Sequence, residues 1–137
     1  MEVIEWLWKI SNQTINIHAD NEYAFTFSCI HGHLNMAKWL WQISDKNIDF
    51  HYNDDHIFRW CCEFGGFEIA EWLWNVSNQN INIYSNDDHA FKCSCANGHV
   101  EIAQWLWKIS NQSINIHCDN DFAFYHSHEN GNFQTTM

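Results

Sequence analysis

The chain has 137 residues, 46% of them hydrophobic and nine of them Trp, which is enough apolar material for a sizeable core and excludes a disordered chain. Its net charge of −11, from 17 acidic and 6 basic residues, excludes a nucleic-acid backbone as partner, which needs clustered Lys and Arg, and suits a basic protein. No apolar run reaches the length of a membrane span and Met1-Glu2-Val3-Ile4 lacks a charged-then-apolar leader pattern, so no membrane is expected and an intracellular, cytoplasmic location is. Without a leader, the sequons at Asn12, Asn75 and Asn111 carry no weight.

Taken in order, Met1–Ile10 reads as an outer helix whose inner partner is missing. Its Val3, Trp6, Leu7, Trp8 and Ile10 recur 33 residues later as Met36, Trp39, Leu40, Trp41 and Ile43. The same interval separates Gly32, Gly65, Gly98 and Gly131, and it separates Trp39, Trp72 and Trp105. A fixed period of this length marks a solenoid, in which each unit buries its apolar face only against neighbours. The period divides the chain into a leading partial unit (1–20), three full units (21–53, 54–86 and 87–119) and a trailing partial unit (120–137), read together as one domain. Ser11–Asp20 is a loop whose Ile15-Asn16-Ile17 alternates like a short extended segment.

In the first full unit, Asp20-Asn21-Glu22 offers capping side chains ahead of an inner helix with Ala24, Phe25, Ser28 and Cys29 on one face. Gly32 ends that helix and supplies a left-handed turn. An outer helix over Leu34–Ile43 follows, with Asn35, Lys38 and Gln42 in one narrow polar arc, so it meets neighbours on several sides. Phe67–Val76 and Val100–Ile109 are its counterparts. The trailing unit keeps its inner helix and Gly131 but turns polar. His126 stands where Phe27 stood, His128 where Cys29 stood, and Gln134-Thr135-Thr136 replaces Asn-Met-Ala, as in a capping layer. Cys29, Cys62 and Cys95 hold one position in successive units. Stacked helices about 8–10 Å apart exceed the roughly 7 Å between Cα atoms that a disulfide tolerates, so these are expected to be unbridged core thiols.

These residues resemble the ankyrin repeat family over essentially the whole chain. The period of 33 matches, and Gly32-His33-Leu34-Asn35-Met36-Ala37-Lys38-Trp39-Leu40 looks like the family's Gly-His-Leu-Glu-Ile-Val-Lys-Leu-Leu. Gly98-His99-Val100-Glu101-Ile102-Ala103 is closer still, and Ile-Asn-Ile before each inner helix looks like the Val-Asn before the family's finger. The Trp-Leu-Trp dialect is similar to ankyrin arrays of large DNA viruses of amoebae, which would place the chain in host cytoplasm. The resemblance implies an all-α solenoid of stacked helix-turn-helix units with finger loops. It also implies a concave groove for partners along the inner helices. Two departures concern local geometry: Tyr23-Ala24-Phe25-Thr26 stands for the usual Thr-Pro-Leu-His, and Ser44, Ser77 and Ser110 stand where Gly usually follows the outer helix.

Cys93-Ser94-Cys95 looks like a ligand pair, but residues two apart on a helix diverge, and no Cys-x-x-Cys or His-x-x-x-His occurs. His126 and His128 near Glu129 form the best local cluster. Repeating columns stand too far apart for bonds of about 2.0–2.3 Å, so no metal, no other cofactor and no catalytic residue is expected. Cys29, Cys62 and Cys95, like Ser44, Ser77 and Ser110, recur as packing positions do, and no nucleophile elbow or phosphate loop appears. The chain is therefore expected not to be an enzyme.

Acidic residues gather at the loop tips (Asp20, Glu22, Asp54, Asp55, Asp87, Asp88, Asp119 and Asp121). They read first as helix caps and second as a row that steers a basic partner. The partner-binding set implied by the groove is Phe27, Ile30, His31, Arg59, Trp60, Glu63, Phe64, Lys92 and Asn97, with Glu22, Asp55, Asp88 and Asp121 at the tips. Aromatics beside an Arg have the composition of an interface hot spot. The expected function is a non-catalytic protein-interaction scaffold whose partner is an unknown protein of basic character. The alternative is end-to-end self-association through Trp6, Leu7 and Trp8 of the leading partial unit.

Overall fold

Each Trp-Leu-Trp segment lies in a run free of Gly and Pro, and each forms a helix in a computed structural model of the chain, which describes residues 1–129. The element order is α1 (Glu2–Ile10), α2 (Ala19–Ile30), α3 (Leu34–Ile43), α4 (Tyr52–Phe64), α5 (Phe67–Val76), α6 (Ser85–Ala96), α7 (Val100–Ile109) and α8 (Cys118–Glu129). The described residues contain no strand, and no helix among them is long and apolar enough to cross a membrane. The fold is all-α. The expected Gly131 turn and the polar Gln134-Thr135-Thr136 segment lie outside the described residues.

Contacts group the chain into two compact units, Met1–Asp49 and Phe50–Met137. In the first, α2 and α3 pack as a hairpin through Phe25, Cys29, Ala37 and Leu40, all buried. Trp8 of α1 meets Trp39 of α3 edge to face, with ring centroids 6.3 Å apart. In the second unit α4 pairs with α5 and α6 with α7, while α4 packs on α6 and α6 on α8. Ile57, Phe58, Ile69, Leu73, Ile102 and Leu106 form the apolar centre. Trp74 and Trp105 repeat the edge-to-face contact at 6.4 Å. The doubled Trp therefore has a packing role within each unit, where Trp8 abuts Trp39 and Trp74 abuts Trp105.

The hairpin turns follow the glycines. Gly32, Gly65 and Gly98 take φ of 76°, 86° and 78°, in the region where a side chain is strained. The departures at the outer-helix ends have a local reason. Ser11, Ser44, Ser77 and Ser110 each donate a side-chain hydrogen bond to the carbonyl three residues back, at 2.8 Å. Each also accepts the N–H three residues on, at 3.2–3.3 Å. A hydroxyl thus covers helix-terminal groups that a glycine would leave to water. The Ile-x-Ile and Ile-x-Phe segments form no ladder. The alternation holds in the two middle segments, where Ile48, Phe50, Ile81 and Ile83 are buried while Asp49 and Asn82 are exposed; in the flanking ones Ile15 and Ile116 are exposed.

The loop tips differ from expectation. Asp20-Asn21-Glu22, Asn53-Asp54-Asp55, Asn86-Asp87-Asp88 and Asp119-Asn120-Asp121 all have positive φ, between 54° and 65°. Three left-handed residues thus open each inner helix, and for α2, α4 and α6 no side chain caps the amino terminus. Asn and Asp enter this region more readily than other residues because their short polar side chains bond locally. The tips carry these residues for the backbone turn, which corrects the capping role.

All six Cys are reduced thiols. Burial pushes the Cys61 and Cys95 thiols up to about 12, and Cys93 lifts Cys95 a little further. Cys62 also rises, through burial first and Cys61 second.

Candidate functional site

Turns of the inner helices that do not face the core carry the exposed aromatics. On α2, Tyr23, Phe27 and His31 stand four residues apart in one row, with Phe27 5.9 Å from Tyr23 and 4.2 Å from His31 between ring centroids. Phe27 and His31 are exposed and Ile30 is half-buried. On α4 the same spacing places Trp60 (36% exposed) beside Phe64 (58% exposed). Trp60 leans edge-on against His56, at 4.8 Å, so part of its indole is held in place and the rest meets solvent.

Several residues of the expected groove have internal roles instead. Arg59 is buried, and its Nε donates to the Asp54 carbonyl at 3.1 Å and its Nη2 to the Asn53 carbonyl at 3.0 Å. It braces the left-handed tip and does not stand in mid-groove. Lys92 sits 3.6 Å from Asp119 and 5.3 Å above the Phe122 ring. Asn97 Nδ2 donates to the Glu63 carbonyl at 3.0 Å, and His99 Nε2 donates to the same oxygen at 2.9 Å. One carbonyl at the end of α4 is therefore held by two donors from the next hairpin.

The tip acids face back along the chain. Glu22 pairs with His18, Asp55 with His51 and Asp121 with His117, each at 2.5 Å and four residues apart. Asp55 also accepts the Asn82 N–H at 3.1 Å, tying one tip to the next within the second unit. Of these acids Asp55 is buried, whereas Glu22 and Asp121 are half-buried. Asp88 breaks the pattern. Tyr84 stands where the others have His, and its hydroxyl lies 2.5 Å from Ser113 Oγ instead. Asp88 is buried, and its Oδ1 has no hydrogen-bond partner.

Burial raises the Asp88 carboxyl pKa, with Lys92 opposing and Asp87 adding to the rise. On raising pH from about 4, the ordinary Asp range, the unfolded chain loses this proton before the folded one does. Over that window the folded state binds more protons, so this group's contribution to stability falls as pH rises. Asp88→Asn is expected to match wild type at the acidic end and to exceed it at neutral pH by on the order of 1 kcal/mol, the scale of an unsatisfied buried group. Urea unfolding of both proteins across that range measures the difference, and curves that stay parallel would refute the assignment.

A second cluster was not visible as a motif. His89 and Cys93, four residues apart on α6, share one face with Glu63 reaching over from α4. His89 Nε2 lies 3.4 Å from Glu63 Oε2 and 3.5 Å from Cys93 Sγ, and all three residues are half-buried. Burial, then Glu63, pushes the Cys93 thiol up to about 11, with Lys92 and Arg59 opposing. The side chains come from different columns and reach across the gap between helices, so column spacing does not keep them apart. For the His126, His128 and Glu129 cluster, the side chains of His128 and Glu129 lie outside what the structure describes; His126 lies 3.9 Å from Phe122, rings stacked. No family model matches the chain, and no curated protein matches it.

Proposed function

We propose that the chain is a non-catalytic binding module, an ankyrin-type helical repeat that engages a basic protein inside the cell through the exposed faces of its inner helices. The observation that carries this reading is the pair Trp60 and Phe64: two large aromatics, adjacent on α4 and open to solvent, beside the Glu63 carboxylate. Aromatic anchors with a charged neighbour are what interface hot spots are made of. The repeat assignment is supported by outer helices that begin at Leu34, Phe67 and Val100, each just after a left-handed Gly. A non-catalytic role is supported by the Cys61, Cys62, Cys93 and Cys95 thiols, which burial holds protonated at neutral pH.

The test is capture from cell extract by wild type and by Trp60→Ala/Phe64→Ala, with the mass of each protein in solution measured alongside. A basic protein retained by wild type and lost by at least about tenfold in the variant is the expected result, because hot-spot truncations cost about 2 kcal/mol or more. Equal retention would remove the pair from the interface. One observation favours self-association as a second reading: Val3, Trp6, Leu7 and Ile10 of α1 are all exposed. A mass that grows with concentration, with nothing captured, would give that reading precedence.

A further inference from the structure

Among the described residues, one group combines a thiol, an imidazole and a carboxylate at ligand distance: Cys93, His89 and Glu63. We propose that it is a binding site for a single divalent ion of the zinc type, with Cys93 Sγ, His89 Nε2 and Glu63 Oε2 as three ligands and water as the fourth, the Cys93 thiol releasing its proton to solvent as the metal–sulfur bond forms. Sulfur, nitrogen and oxygen donors together select a borderline-soft cation over magnesium or calcium, which take oxygen alone.

Two separations match ligand spacing, while Cys93 Sγ also lies 3.9 Å from His89 Nδ1, so the imidazole turns to aim Nε2 at a shared ion. Bonds of about 2.0–2.3 Å around a tetrahedral ion set neighbouring ligand atoms about 3.4 Å apart for nitrogen and oxygen and about 3.6 Å for nitrogen and sulfur. The observed separations are 3.4 Å and 3.5 Å. As an N–H to O hydrogen bond, 3.4 Å exceeds the usual range of about 2.7–3.2 Å. The chain supplies its own comparison, because its three other histidine–carboxylate pairs close to 2.5 Å. Glu63 and His89 stand at the spacing of two ligands of one ion.

The sequence adds a second, independent argument. Packing positions recur through the repeats; Cys93 does not, and the three donor types coincide once. The Glu63 column reads Ile30, Glu63, Ala96 and Glu129; the His89 column reads Tyr23, His56, His89 and Phe122; the Cys93 column reads Phe27, Trp60, Cys93 and His126. The full donor set arises only where Glu63 of one hairpin meets His89 and Cys93 of the next. The backbone under Glu63 is fixed by the Asn97 and His99 bonds to its carbonyl, which pre-positions that ligand. His89 and Glu63 keep 23% and 28% of their side-chain surface exposed, so an ion can enter from solvent.

The untagged full chain is titrated with Co²⁺ in a non-chelating buffer, followed by Zn²⁺. One Co²⁺ per chain is expected to give the intense visible bands of four-coordinate cobalt together with a thiolate charge-transfer band. One equivalent of Zn²⁺ is expected to bleach both. Cys93→Ser should lose the charge-transfer band and weaken binding by more than the roughly 10–100-fold that loss of an outer partner costs. Glu63→Gln should weaken binding while keeping the band, and Cys118→Ser, which alters the other half-buried thiol, should change neither. A wild-type spectrum without the thiolate band, or a band that persists in Cys93→Ser, overturns the site. Should Cys93→Ser fail to fold, alkylation of wild type mapped by peptide mass decides: Zn²⁺ protects Cys93 if the site exists and leaves its rate unchanged if it does not.

Discussion

Gly65→Ala is expected to destabilise the fold by about 1.5–3.5 kcal/mol, the sum of a left-handed backbone cost near 1–2 kcal/mol and a displaced, hydrogen-bonded ring at about 0.5–1.5 kcal/mol. Gly65 has φ of 86°, and a Cβ built there would lie 2.8 Å from His99 Cε1 and 3.0 Å from its Nδ1. The ring cannot swing away without cost, because its Nε2 donates to the Glu63 carbonyl. Gly32 provides the comparison: its φ is 76°, and a Cβ there would meet nothing within 4 Å. Gly32→Ala should therefore show the backbone cost alone. Urea unfolding of the two variants, and of Gly65→Ala/His99→Ala, separates the contributions. If Gly65→Ala proves no worse than Gly32→Ala, the tight seat of His99 over the turn is wrong.

Phe58→Ala should cost about 3–5 kcal/mol, the range for removing a buried phenyl from a packed core. Phe58 is 1% exposed, and its ring centroid lies 6.1 Å from that of Trp105, which in turn touches Phe67 and Trp74. The cavity would open beneath the aromatic contacts that join α5 to α7. Phe64→Ala, six residues along the same helix, should stay within about 0.5 kcal/mol, as surface changes do, because 58% of Phe64 is exposed. Thermal melts of the pair give the contrast. Near-equal effects would mean that the two faces of α4 are wrongly assigned. Thermal melts of Trp60→Ala/Phe64→Ala, whose Trp60 also packs on His56, show whether that comparison tests binding and not folding.

What the sequence disclosed depended on how local each signal was. The outer helices were legible to the residue at Leu34–Ile43, Phe67–Val76 and Val100–Ile109, since each begins after a Gly and carries a helix-period pattern to its end. The reduced state of the Cys29, Cys62 and Cys95 column was legible from helix spacing. The loop tips were not, because Asp and Asn serve equally as helix caps and as left-handed turn residues, and composition does not separate the two uses. Arg59 read as a mid-groove residue because its column varies between units. Only the backbone shows it bent toward the Asn53 and Asp54 carbonyls. The Glu63, His89 and Cys93 cluster was hidden for a related reason. A search for spaced ligand pairs sees one helix at a time, and Glu63 belongs to another.

The left-handed tips also bear on where the acidity of this protein comes from. Of its 17 acidic residues, Asp20, Glu22, Asp45, Asp54, Asp55, Asp87, Asp88, Asp119 and Asp121 sit at positive φ, nine in all. Those sites select for stereochemistry before charge, and Asn meets the same demand, as it does at Asn21, Asn53, Asn86 and Asn120. Writing Asn at all nine would preserve the turns while taking the net charge from −11 to −2. Electrostatic character and backbone shape are thus separable in this chain. The low isoelectric point is a choice made among residues that the turn already permits, and it can be redesigned without redrawing the fold.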